Sequence, residues 1–393
     1  MSWDVLSDEQ RELRDLVRQL ARERIAPRAA EIDASHEFPW DVVELFREKD
    51  IFGLFFAEEY GGLGTGTLLS LIAIEEVGKV CATSALILAV QELGSLGLKL
   101  SGNDEQKERY LPKLASGEWL PAYALTESGS GSDSAAMRTT ARREGDEYVL
   151  DGSKRFITNA GVANLYTVFA KTDPEAGHSG ISAFVVEADT PGFAVARLEP
   201  KMGISGSTTG ELTFDSCRIP AANLLGEEGE GFRIAMRILD RSRPGVAAQA
   251  LGIAQGATDY ALEYAKTRET MGKPIGQHQL IQAKLADMET ECEAARGLLY
   301  RFGRMVDEGV EEAELTKASA MAKLKCGDVA MAVTTDAVQI LGGYGYIREY
   351  PVERFMRDAK ITQIYEGTQE IQRLVIAREM LRESRAFLLA GVG

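Results

Sequence analysis

Trp119-Leu-Pro-Ala-Tyr-Ala-Leu-Thr-Glu-Ser-Gly-Ser-Gly-Ser-Asp133 marks a change of texture in this chain. Upstream, from Asp8 to about Gly117, apolar residues recur at helical spacing. Leu13, Leu16, Val17 and Leu20 share one face, and Asp104–Tyr110 reads as a further amphipathic helix ahead of Pro112. Downstream lie short runs rich in β-branched and aromatic residues, each bounded by Gly, Pro, Asn or Asp. Glu147–Leu150, Leu165–Ala170, Ile181–Val186, Phe193–Leu198 and Glu211–Phe214 have strand length. After about Gly231 the helical period returns: Leu285, Met288, Cys292, Ala295, Leu299, Phe302 and Val306 trace one apolar face, and a long helix is predicted from Ala313 to Leu341. The order helical, β, helical predicts a mostly α fold with one β domain, divided at 1–118, 119–230 and 231–393. No βαβ alternation is present, so a dinucleotide needs some device other than a Rossmann unit.

Bulk properties narrow the function. A chain of 393 residues is long enough for two or three subdomains, and 45% hydrophobic with 26% charged residues is globular composition. The formal charge of −16, with no basic block interleaved with aromatics, argues against a nucleic-acid partner. A polyanionic cofactor would have to be held by local Arg residues and backbone N–H groups. The longest apolar stretches, Ser84–Val90 and Gly245–Ala254, are too short for a membrane span, for which about 20 residues are needed. The N-terminus lacks a secretory or transit pattern, so a cytoplasmic location is expected, although a processed mitochondrial chain would look the same. Cys81, Cys217, Cys292 and Cys326 are widely spaced, with no C-x-x-C pair, and His36, His178 and His278 lie far apart. Buried or half-buried thiols are expected, and neither a metal site nor a disulfide framework.

Several segments could carry chemistry. The small residues of Tyr123–Asp133 allow backbone N–H groups to approach a ligand, with the hydroxyls of Thr126, Ser130 and Ser132 beside them; a plain polar loop is the other reading. Gly61-Gly-Leu-Gly-Thr-Gly66 lacks G-x-G-x-x-G spacing and a preceding strand, and reads as a turn between helices. Asp151–Ala160 reads as a strand turn followed by an aromatic and a hydroxyl. In Ile361-Thr-Gln-Ile-Tyr-Glu-Gly-Thr368, Glu366 follows a largely apolar run and precedes a glycine. A carboxylate there loses hydration and becomes a stronger base, unless it is merely an exposed acid near a helix start.

Together these blocks resemble the acyl-CoA dehydrogenase family over essentially the whole chain. Two patterns carry the resemblance: Ala124-Leu-Thr-Glu-x-x-Ser-Gly-Ser-Asp133, and Gln339 through Gly342, Gly343, Gly345, Glu349, Arg354 and Asp358, followed by Tyr365-Glu-Gly-Thr368. The resemblance implies an N-terminal helical domain, a middle β-barrel-like domain and a C-terminal four-helix bundle. It further implies a homotetramer with one FAD per subunit, serving fatty acid oxidation with an electron-transfer flavoprotein as acceptor. Carried over, Tyr123, Ala124, Leu125, Thr126 and Ser132, with Phe156, Ile157 and Thr158, would surround the flavin ring. Arg268 and Gln279, with Gln339, Ile340, Leu341, Gly342 and Gly343 from a neighbouring subunit, would hold its pyrophosphate and adenosine ends. Thr368, Gln369 and Glu370 would complete the cofactor site. Asp240, Arg241, Ser242 and Arg243 look like the CoA-contacting segment, with Ser132 and Gly367 near the thioester; a solvated helix turn is the other reading of Asp240–Arg243.

The same resemblance makes Glu366 the base that removes the α-proton, its own N–H helping to hold the enolate oxygen, while the β-hydride passes to flavin N5. Some members carry the base on the CoA-contacting helix, where this chain has Ser242, which cannot serve. Phe156 stands where many members have Trp, and Met271 departs from Arg-x-x-Phe-Gly. The segments Gly203–Thr209, Asp215–Pro220 and Ala250–Gln255 look most like the short-chain, butyryl-CoA type, implying a short or short-branched substrate. An acyl-CoA oxidase is commonly much longer, and a decarboxylating relative needs a cation that is missing between Lys79 and Lys99. A non-catalytic acyl-CoA or flavin-binding scaffold would have lost Glu366.

Overall fold

The structure, a computed structural model, describes residues 6–382. The first residues of the N-terminal stretch considered for targeting, and the ends of the outer domains, lie outside the described residues. The N-terminal part holds α1 (Asp8–Leu20), α2 (Ala29–Ser35), α3 (Trp40–Glu48), α4 (Thr67–Gly78), α5 (Ala82–Ser101) and α6 (Asp104–Ala115). Ser7 opens α1 with a capping box: its hydroxyl accepts the Gln10 N–H at 3.2 Å while Gln10 Oε1 accepts the Ser7 N–H at 3.0 Å. Helix α6 does not stop ahead of Pro112 but runs through it to Ala115. The proline lies in the closing turns, where one missing N–H interrupts little. Gly61–Gly66 does lead into α4, after the turn Glu58–Tyr60.

The middle part is an eight-stranded sheet: β1 (Pro121–Ala124), β2 (Thr140–Glu144), β3 (Glu147–Thr158), β4 (Leu165–Lys171), β5 (Ile181–Glu187), β6 (Phe193–Leu198), β7 (Thr209–Pro220) and β8 (Leu224–Leu225). Its order is β6-β7-β3-β2-β4-β5-β8, with β1 added on β4. Two predicted runs are only fragments of β3 and β7, which pair antiparallel from Glu147 with Pro220 to Thr158 with Thr209. Register shifts between Leu150 and Gly152 and between Lys154 and Ile157 break the alternation that a sequence pattern relies on. Strand β4 pairs in parallel with β1 over Leu165–Val168 and with β2 at Lys171. That split places Tyr123 and the residues after it beside β3. Tyr148, Tyr166, Phe184 and Phe214 fill this domain's core.

The C-terminal part consists of α7 (Gly231–Thr267), α8 (Gln279–Asp307), α9 (Glu312–Leu341), α10 (Val352–Ile361) and α11 (Gln369–Arg382). Helix α9 begins at Glu312, next to the predicted Ala313. Met288, Cys292, Ala295, Leu299 and Phe302 of α8 are buried, and Leu285 and Val306 lie half-buried against them. All four cysteines are buried free thiols. Among the described residues no helix is long and apolar enough to cross a membrane.

The start of α4 is capped from a distance. Gly66 precedes it without a side chain to cap, and the Asp307 carboxylate at the end of α8 accepts the N–H groups of Thr67 at 2.6 Å and Leu68 at 3.1 Å. A cap of this kind contributes about 1–2 kcal/mol. Asp307→Ala should therefore lower the urea midpoint of the chain by a corresponding amount with little change in slope; an unchanged midpoint would show that the cap contributes nothing.

Candidate active site

Between α10 and α11 the chain reverses through Glu366 and Gly367, whose φ angles are 52° and 93°. Left-handed backbone at a non-glycine residue is strained, typically by about 1–3 kcal/mol. At Gly367 the conformation favours glycine, and a Cβ there would lie 2.5 Å from Gln372 Nε2, so any other residue would also displace the Gln372 amide from the loop carbonyls. The loop carbonyls are turned back into the protein. Glu366 O accepts from Gln372 Nε2 at 3.3 Å and Arg243 Nε at 3.4 Å, and Gly367 O accepts from Gln372 Nε2 at 2.9 Å. Among the described residues no protein acceptor takes the Glu366 N–H.

The Glu366 side chain meets α7. Ser242 Oγ donates to Glu366 Oε2 at 2.6 Å. Burial pushes the carboxyl above its ordinary pKa, while that hydrogen bond, then the Arg243 and Lys323 charges, pull it back. Arg243 is itself only 4% exposed and pairs with Asp240 Oδ1 at 2.5 Å. Asp240 Oδ2 accepts from Thr316 Oγ1 of α9 at 2.7 Å. Ser242 and Arg243 thus face the Glu366 loop, Asp240 ties α7 to α9, and Arg241 is half-buried. The solvated-turn reading of this segment does not hold.

The β domain contributes a second group. Tyr123 lies close enough to Glu366 to feel its charge, which together with burial, the larger cause, raises the phenol pKa; its OH is 3.5 Å from the Ala235 carbonyl of α7. Ala124 and Leu125 are buried. Behind them Lys154, fully buried on β3, donates to Leu125 O at 3.1 Å and Glu127 Oε1 at 2.8 Å. Glu127 in turn accepts the N–H groups of Arg138 at 2.6 Å and Thr139 at 3.1 Å. The Thr126 carbonyl takes the Arg155 N–H at 2.8 Å, and Ser132 is exposed on the loop that follows. Phe156 sits at the β3 irregularity with φ 59° and 58% exposure, between the Arg155 guanidinium, 5.1 Å from its ring, and buried Ile157. Thr158 is half-buried. An exposed aromatic face beside threonine hydroxyls, on a strand braced from behind, fits a flat heteroaromatic ring.

The remaining residues expected at the cofactor gather elsewhere. Arg268, Thr270, Ile340, Leu341, Gly342 and Gly343 are among those lining one cleft of about 440 Å³. Gly342 has φ 62° and ψ −132°, a combination open essentially to glycine, and the Arg268 guanidinium lies 5.1 Å from the Tyr344 ring. One guanidinium beside exposed glycine backbone fits a phosphate. Gln339 and Gln279 are exposed nearby in sequence, at the end of α9 and the start of α8. The two groups stand far apart. Tyr123 meets α7 at Ala235, whereas Arg268 follows its last residue, so at roughly 1.5 Å per residue the helix separates them by about 50 Å.

Thr368 Oγ1 accepts the Ile371 N–H at 3.4 Å, and Glu370 is exposed. The Gln369 amide points inward, giving hydrogen bonds to Leu324 O at 2.8 Å and Asp328 Oδ1 at 3.0 Å. Its side chain is therefore committed to helix packing. Sequence reasoning missed Lys154, Lys323 and Gln372. For Lys323 a signal existed: Ser319, Cys326 and Ala330, at helical spacing from it, are all buried, so a lysine on that stripe points inward.

Models of the acyl-CoA dehydrogenase N-terminal, middle and C-terminal domains match residues 7–118, 122–217 and 229–381. The chain is 49% identical over 380 residues to a cyclohexane-1-carbonyl-CoA dehydrogenase of Geobacter metallireducens, covering 96% of this chain and 99% of that one. The butyryl-CoA dehydrogenase of Megasphaera elsdenii superposes with a TM-score of 0.93 at 45% identity, over 97% of this chain and 100% of that one. A chain in a structure concerning the electron transferring flavoprotein of Acidaminococcus fermentans superposes with a TM-score of 0.94 at 45% identity, over 98% of this chain and 100% of that one.

The Ser242 hydrogen bond favours the ionised form of Glu366. In Ser242→Ala that stabilisation is lost and the carboxyl pKa moves up. Side-chain ¹³C titration of labelled Glu366 measures the shift; an unchanged or lower pKa would contradict the assignment of that contact.

Proposed function

Because this chain belongs to the acyl-CoA dehydrogenase family, we propose that it oxidises a short or short-branched acyl-CoA to the trans-2-enoyl-CoA, with Glu366 as the base that removes the α-proton. FAD-dependent dehydrogenation of acyl-CoA thioesters is the family activity. The observation that carries the assignment is the Glu366 loop. One residue offers a half-buried carboxylate whose lost hydration raises its pKa and, beside it, an N–H without a protein acceptor among the described residues, the two groups that enolisation of a thioester requires. The carboxylate takes the proton, the N–H donates to the carbonyl oxygen as charge develops there, and Gly367 lets the chain lie against the thioester. Asp240–Arg243 and Ser132 bind the CoA portion.

FAD, when bound, supplies the acceptor for the β-hydrogen and its electron pair. Tyr123–Thr126, Ser132, Phe156–Thr158 and Thr368–Glu370 would hold its ring end, and in Gln369 this falls to the backbone. Arg268, Gln279 and Gln339–Gly343 would hold its phosphates and adenosine. A separation of about 50 Å is far beyond one dinucleotide, so the second set serves the flavin of another copy. That favours a homotetramer in which each cofactor spans two subunits, and an electron-transfer flavoprotein as oxidant. Domain limits at 1–118, 119–230 and 231–393 fit the same reading.

Butyryl-CoA is named for one structural relative and cyclohexane-1-carbonyl-CoA for one sequence relative, so both belong in the test. In anaerobic mixing with acyl-CoAs of graded length plus the cyclohexane thioester, flavin absorbance should bleach fastest with a short or branched acyl group; fastest bleaching by long chains would overturn the substrate assignment. Glu366→Gln should keep yellow FAD and bind acyl-CoA, yet reduce flavin roughly 10²–10⁴-fold more slowly. Near-normal reduction would remove Glu366 from its role.

A further inference from the structure

We propose that Lys323 is a positioning residue for this reaction: from α9 its buried side chain clamps the far side of the Glu366–Gly367 loop and so holds the base in its working geometry. The inference rests on the assignment of Glu366 as base. Lys323 is fully buried, and its Nζ donates to Gly367 O at 2.7 Å and to Gln369 Oε1 at 3.1 Å. Among the described residues no carboxylate oxygen comes within ion-pair distance of it. Lysine is seldom fully buried without a paired acid, and a similar-shaped apolar side chain is usually at least as good for folding. A role beyond packing accounts for an ammonium whose ligands are one loop carbonyl and one amide.

The loop needs such a clamp. Tyr365 is anchored ahead of it by a hydrogen bond from its OH to Gln249, and between that anchor and α11 lie two left-handed residues. Each peptide plane is rigid, so fixing the Gly367 carbonyl fixes the dihedrals on either side of it. Gln369 holds Lys323 in place through its amide bonds to Leu324 and Asp328, and a Cβ on Gly327 would come within 3.0 Å of that amide. The charged groups facing Lys323 are Glu366 from the loop, Arg243 from α7, Asp328 from α9 and Glu370 from α11. Burial lowers its pKa to about 7, and the Glu366 charge is the largest influence keeping it protonated. Lys323 in return favours ionised Glu366.

The test uses the holoenzyme, with Lys323→Met, which keeps the apolar stem, and Lys323→Gln, which keeps a donor without the charge. Anaerobic flavin reduction by butyryl-CoA should slow about 10²-fold in K323M, while acyl-CoA affinity, read from the flavin spectrum, changes far less. The acid limb of its rate profile should move to higher pH, because Glu366 has lost a neighbouring cation. K323Q should regain part of the rate with the limb still displaced. A K323M rate within about threefold of the parent with an unmoved acid limb would overturn the proposal. So would a loss that only tracks FAD content. Should K323M fail to assemble, Gln369→Met removes the second ligand and should slow reduction in the same direction; parental rate and pH profile there would equally overturn it. Near-normal reduction by E366Q would instead sink the base assignment itself.

Discussion

The placement of the site depends on how closely α7 can approach α4. A Cβ on Gly252 would lie 2.4 Å from the Glu75 carbonyl, and one on Gly256 would lie 2.0 Å from that of Lys79; on the opposite helix, a Cβ on Gly78 would lie 3.2 Å from the Gln249 carbonyl. The obstacles are backbone atoms, which cannot step aside as a side chain can. With α7 seated this way, α4 becomes a hub. Glu75 receives Arg296 at 3.0 Å and Tyr300 at 2.8 Å from α8, and Glu76 receives Arg18 at 2.9 Å from α1. Ser242, Arg243 and Gln249 lie on the same helix within a few turns of these glycines. The position of the Glu366 loop is thus inherited from a glycine contact that touches no ligand.

Seating the loop there creates an electrostatic problem that the surrounding charges resolve jointly. Burial disfavours ionised Glu366 and protonated Lys323 alike. Glu366 is held in its charged form by the Ser242 hydrogen bond, then by Arg243 and Lys323, whereas Lys323 is held protonated chiefly by Glu366 and against the like charge of Arg243, whose own partner is Asp240. The proposed chemistry exploits that balance. As Glu366 accepts the α-proton it loses its negative charge, while Arg243 and Lys323 stay where they are. A positive field then remains at the moment negative charge develops on the thioester oxygen, and no side chain has to move to provide it.

Much of this was legible in the sequence, for identifiable reasons. Long helices announce themselves by period, so α9 begins one residue from its expected start and the apolar face of α8 is the buried one. Strand β1 is four residues long and β2 carries Thr140-Ala-Arg-Arg-Glu144, neither of which looks like a half-buried strand; β1 exists because β4 offers it an edge, and β2 because it pairs antiparallel with β3 from Thr140 opposite Asp151 to Glu144 opposite Glu147. In the site, local context alone leaves Glu366 open between a desolvated base and an exposed acid, and it is the resemblance carried by patterns elsewhere in the chain that singles it out. The Ser242 hydrogen bond, the inward turn of Gln369 and the burial of Lys154 and Lys323 are tertiary facts, and no spacing along the chain encodes them individually.

The co-location of Arg268 with Gly342 and Gly343 is such a fact too, and it decides between two ways of using one cofactor. Arg268 closes α7 and Gly342 closes α9, and the two helices pack along each other, so both ends arrive at one cleft. Ala235, near the start of α7, meets Tyr123 at the other pole of the bundle. A stiff helix of this length, with roughly 1.5 Å of rise per residue, cannot fold back to unite the two poles. On the proposed assignment, a dinucleotide with its ring at Phe156 and Thr158 would not reach the Arg268 cleft of its own chain. On that assignment each half-site would be completed by another copy, and flavin retention would be coupled to assembly, so that weakening the contact between copies would also loosen the cofactor.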